Sequence, residues 1–439
     1  MSRPENRHQY LSPRHGSNAW ALRDDIIAAW RRGDQLGVPP ITMEWAPLLA
    51  CNADCPLCPF ARSRHTLCDG TVYPGEFAAP NDRTVASRSL AWHVLEAAAE
   101  AGVWGVLFTG GGEPTIWEPL WDALRHSTRL GMANALYTNA FQLGHHPGLV
   151  EPLLAPVSGL AFIRLSINAV TPGAIKVHWG LDDPSEVEYQ FAALDHLLGT
   201  RGRLLARYEE ASARPPAIQV STVVDKNTVA DLPGLCLRVA EIARRHSYRG
   251  DEDVMVVRPT TVHGRKGGYR IDDHPDWVIQ DIIGACGRAG PGRGAIEGAG
   301  YRLFLGFGLD RVESGGAGSY AEVLGQEYSS RDRSLANGLF LTVGPDGSAY
   351  PTTETNCDPA WALGSLQSEG VAEIYRGHRR REVLDLYNAH RWGPRYCQAT
   401  SRLARLDRIA RAVNLGEITD EDIEQIRSAS LASHRLLLD

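Results

Sequence analysis

Between residues 41 and 258 the chain alternates short apolar runs with longer amphipathic stretches. The runs ITMEWAP (41–47), VWGVLFT (103–109), MANALYT (132–138), LAFIRLSI (160–167), AIQVSTVV (217–224) and DVMVVRP (253–259) read as strands. Each is nearly continuously apolar, as strands buried on both faces of a parallel sheet are. Helix-length segments lie between them: Ser87–Ala101, Trp117–Leu130, Pro184–Leu198 and Ala230–Arg245. Alternation of this kind builds βαβ units. Six units suit a partial (β/α)6 barrel better than a closed eight-stranded one. Chemistry on such a fold sits at the C-terminal strand ends.

The flanks differ. Residues 1–40 hold one expected helix, Asn18–Arg32, and a Pro-Pro entry to the first strand, a helical lead-in rather than a domain. Residues 259–338 are rich in glycine (GRKGG, GRAGPGRGAIEGAG, ESGGAG), which predicts long loops or a partly irregular region. LFLTVGPDGSAYPTT then reads as a hairpin around a Pro-Asp-Gly turn. Residues 369–390 and 402–437 read as helical. Residues 259–439 are thus expected to form a smaller α+β extension containing a β-hairpin.

Composition narrows the function classes. The chain has 439 residues, 43% hydrophobic and 22% charged, with a net charge of −7. That excludes a disordered, collagenous or disulfide-scaffold protein. The mild acidity argues against a nucleic-acid partner, which calls for clustered positive charge. No apolar run is long enough to span a membrane, and the N-terminus lacks the apolar core of a signal peptide. A cytoplasmic location is expected.

Eight cysteines are too few for a disulfide framework, and three of them cluster. Cys51-Asn-Ala-Asp-Cys55-Pro-Leu-Cys58 is a C-x3-C-x2-C triplet directly after the first expected strand. Three thiolates so placed can bind three irons of a [4Fe–4S] cluster and leave the fourth iron open to a small chelator. The alternative is a zinc knuckle with His65 as fourth ligand, although zinc sites more often come as two spaced pairs. The second motif is Thr109-Gly110-Gly111-Gly112-Glu113-Pro114, after the second strand. Its glycines permit close backbone approach to a ligand, and Glu113 adds a carboxylate. No Lys-Ser/Thr follows, so it is not a P-loop.

Together these motifs resemble the radical S-adenosylmethionine (radical SAM) superfamily, over about residues 41–258. The resemblance implies that Cys51, Cys55 and Cys58 ligate one [4Fe–4S] cluster. It implies that Gly111, Gly112, Glu113 and Pro114 meet the methionine amino group of the cosubstrate. Ser166, Asn168 and Ser221 match positions used against its ribose and carboxylate. Arg258 is a looser match to the carboxylate, and Asn139 in LYTNA is a further candidate. The implied chemistry is one-electron cleavage of S-adenosylmethionine to a 5′-deoxyadenosyl radical, which abstracts hydrogen from a substrate carbon. An electron donor such as flavodoxin or ferredoxin is implied as partner.

The stretch 339–366 is similar to the SPASM/twitch extensions of the same superfamily, which hold auxiliary clusters on cysteines. Thr352 stands where a ligand cysteine is expected. The count excludes a two-cluster extension, and a single second cluster would need Cys286, Cys357 and Cys397 plus Cys236, Cys68 or a non-cysteine ligand. A cluster-free, degenerate extension is favoured. Cys236, in LPGLCLRVAEIA, reads as core. Cys357 and Cys397 are the better candidates to face a substrate, as hydrogen-atom donors. Loss of auxiliary clusters favours a redox-neutral outcome, dehydration or epimerisation, over dehydrogenation. Little room precedes Ile41 for a peptide-docking module or a cobalamin domain.

The strand RLSINAVTP and the degenerate end look similar to members acting on sugars and aminocyclitols in antibiotic biosynthesis. Asp272, Asp273, Asp276, Glu313 and Glu354 are candidates to meet a polyamine sugar. The expected substrate is a small polar molecule, and a partner reductase could finish a carbonyl product. The rivals are a dehydrogenase with a second cluster, a peptide maturase, and a zinc-stabilised binding module without enzyme activity.

Overall fold

The computed structural model describes residues 23–34, 36–55, 85–181, 183–248, 250, 253–259, 276–306, 309–315, 337–352, 356, 361–389, 407 and 409–431. All six expected strands form: β1 (Thr42–Trp45), β2 (Gly105–Phe108), β3 (Ala133–Thr138), β4 (Leu160–Ser166), β5 (Ala217–Val224) and β6 (Val254–Pro259). Each pairs in parallel with the next. This is the expected α/β partial barrel.

Two further strands lengthen the parallel run. β7 (Arg302–Leu305) adds beyond β6. On the other side, β8 (Phe340–Val343) pairs in parallel with all four residues of β1. The expected hairpin forms as β8 with β9 (Ser348–Tyr350), and β10 (Gly364–Ser365) completes the order β10-β9-β8-β1-β2-β3-β4-β5-β6-β7. The hairpin is therefore continuous with the barrel sheet, and β1 is an interior strand.

Burial decides the layers. Met43, Val106, Phe108, Leu136, Ile163, Ile218, Val220 and Met255 belong to one large core that includes Val94 and Leu95, Leu120 and Leu124, Phe191 and Leu194, and Leu235 and Val239 of the covering helices. The intervening positions Leu107, Ala135, Phe162 and Ala217 form a separate cluster with Tyr137. Period-two geometry puts this second set on the opposite, inner face of the barrel. The covering helices start where their caps dictate. Ser87 caps Arg88–Glu100, its hydroxyl accepting from the Leu90 N–H at 3.2 Å.

The Gly-rich segment is described only in part, and GRKGG lies outside the described residues. Helices Asp276–Cys286 and Pro291–Glu297 and strand β7 occupy its described part. The glycines serve close packing there: a Cβ on Gly292 would sit 2.7 Å from the Ala285 carbonyl oxygen and 3.1 Å from the Cys236 sulfur.

Candidate functional site

β1 leads through Leu48–Ala50 into the cysteine loop, where Cys51 is exposed and Cys55 half-buried. Cys58 lies outside the described residues, as do His65, Cys68, Cys357 and Cys397. The loop is held from two sides. The Asp54 N–H donates to the Trp179 carbonyl at 3.1 Å, at the end of helix Pro172–Trp179. Gly180 caps that helix with a left-handed backbone (φ 64°), and a side chain there would overlap the Asp54 carbonyl. On the other side the Glu113 N–H donates to the Ala50 carbonyl at 3.0 Å.

The Gly110–Glu113 turn packs on the chain's own approach to the cysteines. A Cβ on Gly112 would overlap the Ala50 carbonyl oxygen, and one on Gly111 would overlap Leu49. Gly112 is thus required for backbone contact with Ala50, a need the sequence alone does not reveal. Pro114 opens the short 3-10 helix Pro114–Ile116, for which Glu113 is the N-cap.

Glu113 is buried, and its carboxylate receives four protein donors. Oε1 accepts from the Thr115 N–H (3.0 Å), the Thr115 hydroxyl (2.6 Å) and the Thr138 hydroxyl (2.6 Å); Oε2 accepts from the Asn139 N–H (2.7 Å). Burial pushes its pKa above the usual carboxylate range, against the pull of those hydrogen bonds. The carboxylate therefore joins the ends of β2 and β3.

Asn139 meets the cysteine loop. Its Nδ2 donates to Asn52 Oδ1 at 2.7 Å and stands 3.7 Å from Cys51 Sγ. Ser166 and Ser221 are direct neighbours on β4 and β5. Asn168 Oδ1 accepts from the Val223 N–H at 2.9 Å, and Val223 pairs with Arg258 on β6. The structure thus gathers Cys51, Cys55, Gly111, Gly112, Glu113, Pro114 and Asn139 around one loop, with Ser166, Asn168, Ser221 and Arg258 toward the C-terminal ends of the next three strands.

Several residues of the site escape sequence reading. Gln190, fully buried in helix Glu186–Arg203, donates through Nε2 to the carbonyls of Asn139 (2.7 Å) and Ser166 (2.9 Å). One step deeper on the inner face, Tyr137, Arg164 and Gln219 are direct neighbours across β3, β4 and β5. Gln219 Oε1 accepts from Arg164 Nε (2.9 Å) and Nη2 (2.7 Å), and the Tyr137 hydroxyl accepts from Nη1 (2.8 Å). The guanidinium also lies 4.7 Å from the Tyr137 ring centroid. Only register across three strands reveals this layer.

Other expectations fall into place away from the rim. Cys236 and Cys286 are buried in the helical layer with their sulfurs 3.6 Å apart, where the Cys236 contact and then burial raise the Cys286 pKa. Cys236 is core, as expected; Cys286, considered for a second cluster, is core with it. Of the acidic residues considered for a polyamine, Asp276 opens helix Asp276–Cys286 and Glu313 accepts from the Arg288 N–H; Asp272, Asp273 and Glu354 lie outside the described residues. Among the described residues, no helix is long and apolar enough to cross a membrane.

No family model matches the chain, and no curated protein matches it. Solved structures do. SuiB of Streptococcus suis bound to S-adenosylmethionine matches with a TM-score of 0.52 at 15% identity, covering 79% of this chain and 68% of that one. The chain has the radical SAM fold. SuiB bound to its precursor peptide SuiA gives 0.52 at 14% identity, over 79% and 66% of the two chains. A further crystal structure of SuiB gives 0.51 at 13% identity, over 81% and 70%. At such identity the likeness is one of fold. In this chain the cysteine loop follows the first barrel strand and the Gly110–Glu113 turn the second.

Proposed function

We propose that this chain is a radical SAM enzyme that abstracts hydrogen from a carbon of a small polar substrate, of the sugar or aminocyclitol class. The proposed outcome is redox-neutral, dehydration or epimerisation. The observation that carries the reading is the convergence of the cysteine loop, the Gly110–Glu113 turn and Asn139 at one rim of a radical SAM fold. Cys51, Cys55 and Cys58 are the donors for one [4Fe–4S] cluster, for which soft thiolates are the fitting ligand type. When bound, that cluster supplies the electron that cleaves S-adenosylmethionine to a 5′-deoxyadenosyl radical.

The chain's own residues bind and orient. Gly111, Gly112, Glu113 and Pro114 form the segment assigned to the cosubstrate's amino end, with Glu113 fixing the turn against β3. Ser166, Asn168, Ser221 and Arg258 are assigned to its ribose and carboxylate. The mutually bonded layer of Tyr137, Arg164 and Gln219 makes the inner face below the rim polar, which supports a polar substrate. Cys357 and Cys397 are proposed hydrogen-atom donors to the substrate radical. Flavodoxin or ferredoxin is the proposed electron donor, and the cytoplasm the proposed location.

A second reading, a peptide substrate, is favoured by the match to SuiB bound to its precursor peptide SuiA. One anaerobic experiment tests both. With dithionite and S-adenosylmethionine the protein should release 5′-deoxyadenosine, and hydroxyl-rich aminocyclitols should accelerate release. Acceleration by peptides instead would select the second reading. No 5′-deoxyadenosine under any condition overturns both.

A further inference from the structure

The last ladder pair between β3 and β4 is Thr138 with Leu165. Beyond it β3 and β4 no longer pair, although Ser166 still pairs with Ser221 of β5, and the Gln190 carboxamide bridges the carbonyls of Asn139 and Ser166 at 2.7 and 2.9 Å. A fully buried glutamine is expensive to desolvate, and it belongs in a core helix only where such groups need its donors. Its depth is set by the residue before it: helix Phe141–His145 lies so close to helix Glu186–Arg203 that a side chain on Gly144 would overlap the Tyr189 carbonyl.

Asn139 is consequently fixed at every polar group. Its N–H goes to Glu113 and its carbonyl to Gln190. Its Oδ1 accepts from the Phe141 N–H at 3.2 Å, so the nitrogen side of the carboxamide faces Asn52 and Cys51. The next residue, Ala140, is buried with φ 69°, a left-handed backbone that a non-glycine residue adopts only when its surroundings over-determine it.

From this geometry we propose that Gln190 is a positioning residue that, through the Asn139 backbone, holds the Asn139 amide against Cys51. There its N–H donates to the ligating sulfur. Hydrogen bonds to the sulfurs are among the features that set the potential of an iron–sulfur cluster. An added electron makes the sulfur a stronger acceptor, so the contact favours the reduced state and raises the potential. This inference rests on the proposed cluster at Cys51, Cys55 and Cys58.

The test is a redox titration of the anaerobically reconstituted full chain, followed by electron paramagnetic resonance. Asn139→Ala and Gln190→Met should each move the midpoint to a more negative value and alter the g-values, at wild-type iron content. The double variant should move no further than Asn139→Ala alone. Gln190→Asn, whose shorter amide cannot reach both carbonyls, is the second route if the methionine variant does not fold, and the same shift is expected. An unchanged potential and spectrum in either folded Gln190 variant overturns the inference, as does a double variant whose shift is the sum of the singles. A wild-type protein that takes up no cluster fails the functional reading instead, so the two failures are separable.

Discussion

Gly112 and Glu113 adjoin in sequence but act differently: one makes room for a carbonyl, the other gathers four donors. A methyl group on Gly112 has no space beside Ala50. Gly112→Ala is expected to lower stability by about 1–3 kcal/mol through overpacking and to reduce iron uptake. Gly173→Ala, at an open helical position, should do neither; urea unfolding and iron assay check the pair. A second prediction concerns His178, which is buried with its Nε2 3.0 Å from the Thr228 hydroxyl. Burial holds its pKa below the ordinary 6.5, outweighing the attraction of Asp225 and Asp231. The unfolded chain therefore gains a proton near pH 6.5 that the folded chain refuses until lower pH. Stability is full above that value and falls as the pH drops below it. His178→Asn should show a smaller loss of Tm on going from about pH 7.5 to about pH 5.5 than the wild type. An equal loss in both would refute the assignment.

The motif residues were legible because their spacing carries the chemistry. Gln190 was not: within an amphipathic helix a glutamine reads as solvent-facing, and nothing local says that two strand ends need its donors. Arg164 was hidden for a different reason. Inside the apolar run LAFIRLSI it became meaningful only once register set it between Tyr137 and Gln219.

At the scale of elements, a buried bidentate pair joins helix Glu186–Arg203 to the start of β6. Arg201 Nη1 and Nη2 each lie 2.6 Å from an Asp253 oxygen, and Asp253 Oδ1 also accepts from the Ile218 N–H at 2.9 Å. Removing one partner leaves the other charge buried. Asp253→Ala is expected to destabilise by about 3–5 kcal/mol, measured by urea unfolding. The pair sits at the N-terminal end of the strands, opposite the rim, so cluster content per folded chain should not change. The six barrel strands were readable because both of their faces are buried. In the described part of the segment after Pro259, glycines that read as loop formers instead let helices pack closely: a Cβ on Gly292 would crowd Ala285 and Cys236. β7 escaped notice for lack of a continuous apolar run: Arg302 and Phe304 are exposed and only alternate residues are buried.

For the molecule as a whole, β1 is flanked by β2 on one side and β8 on the other. The strand that delivers the cysteine loop is thus supported by a segment about three hundred residues later. A chain ended before residue 337 would expose the β1 edge and lose Leu341 and Val343 from the core. It is expected to be insoluble or to lack cooperative unfolding; a soluble truncated chain with native circular dichroism would contradict the role given to β8.

The central claim is that Cys51, Cys55 and Cys58 hold one iron–sulfur cluster at the rim of this barrel. Iron and acid-labile sulfide per chain, measured after anaerobic reconstitution beside a Cys51→Ala/Cys55→Ala/Cys58→Ala control, test it most directly. The account predicts about four of each in the wild type, with both lost in the control. Zinc in place of iron, or iron and sulfide that survive in the control at the wild-type level, would contradict it.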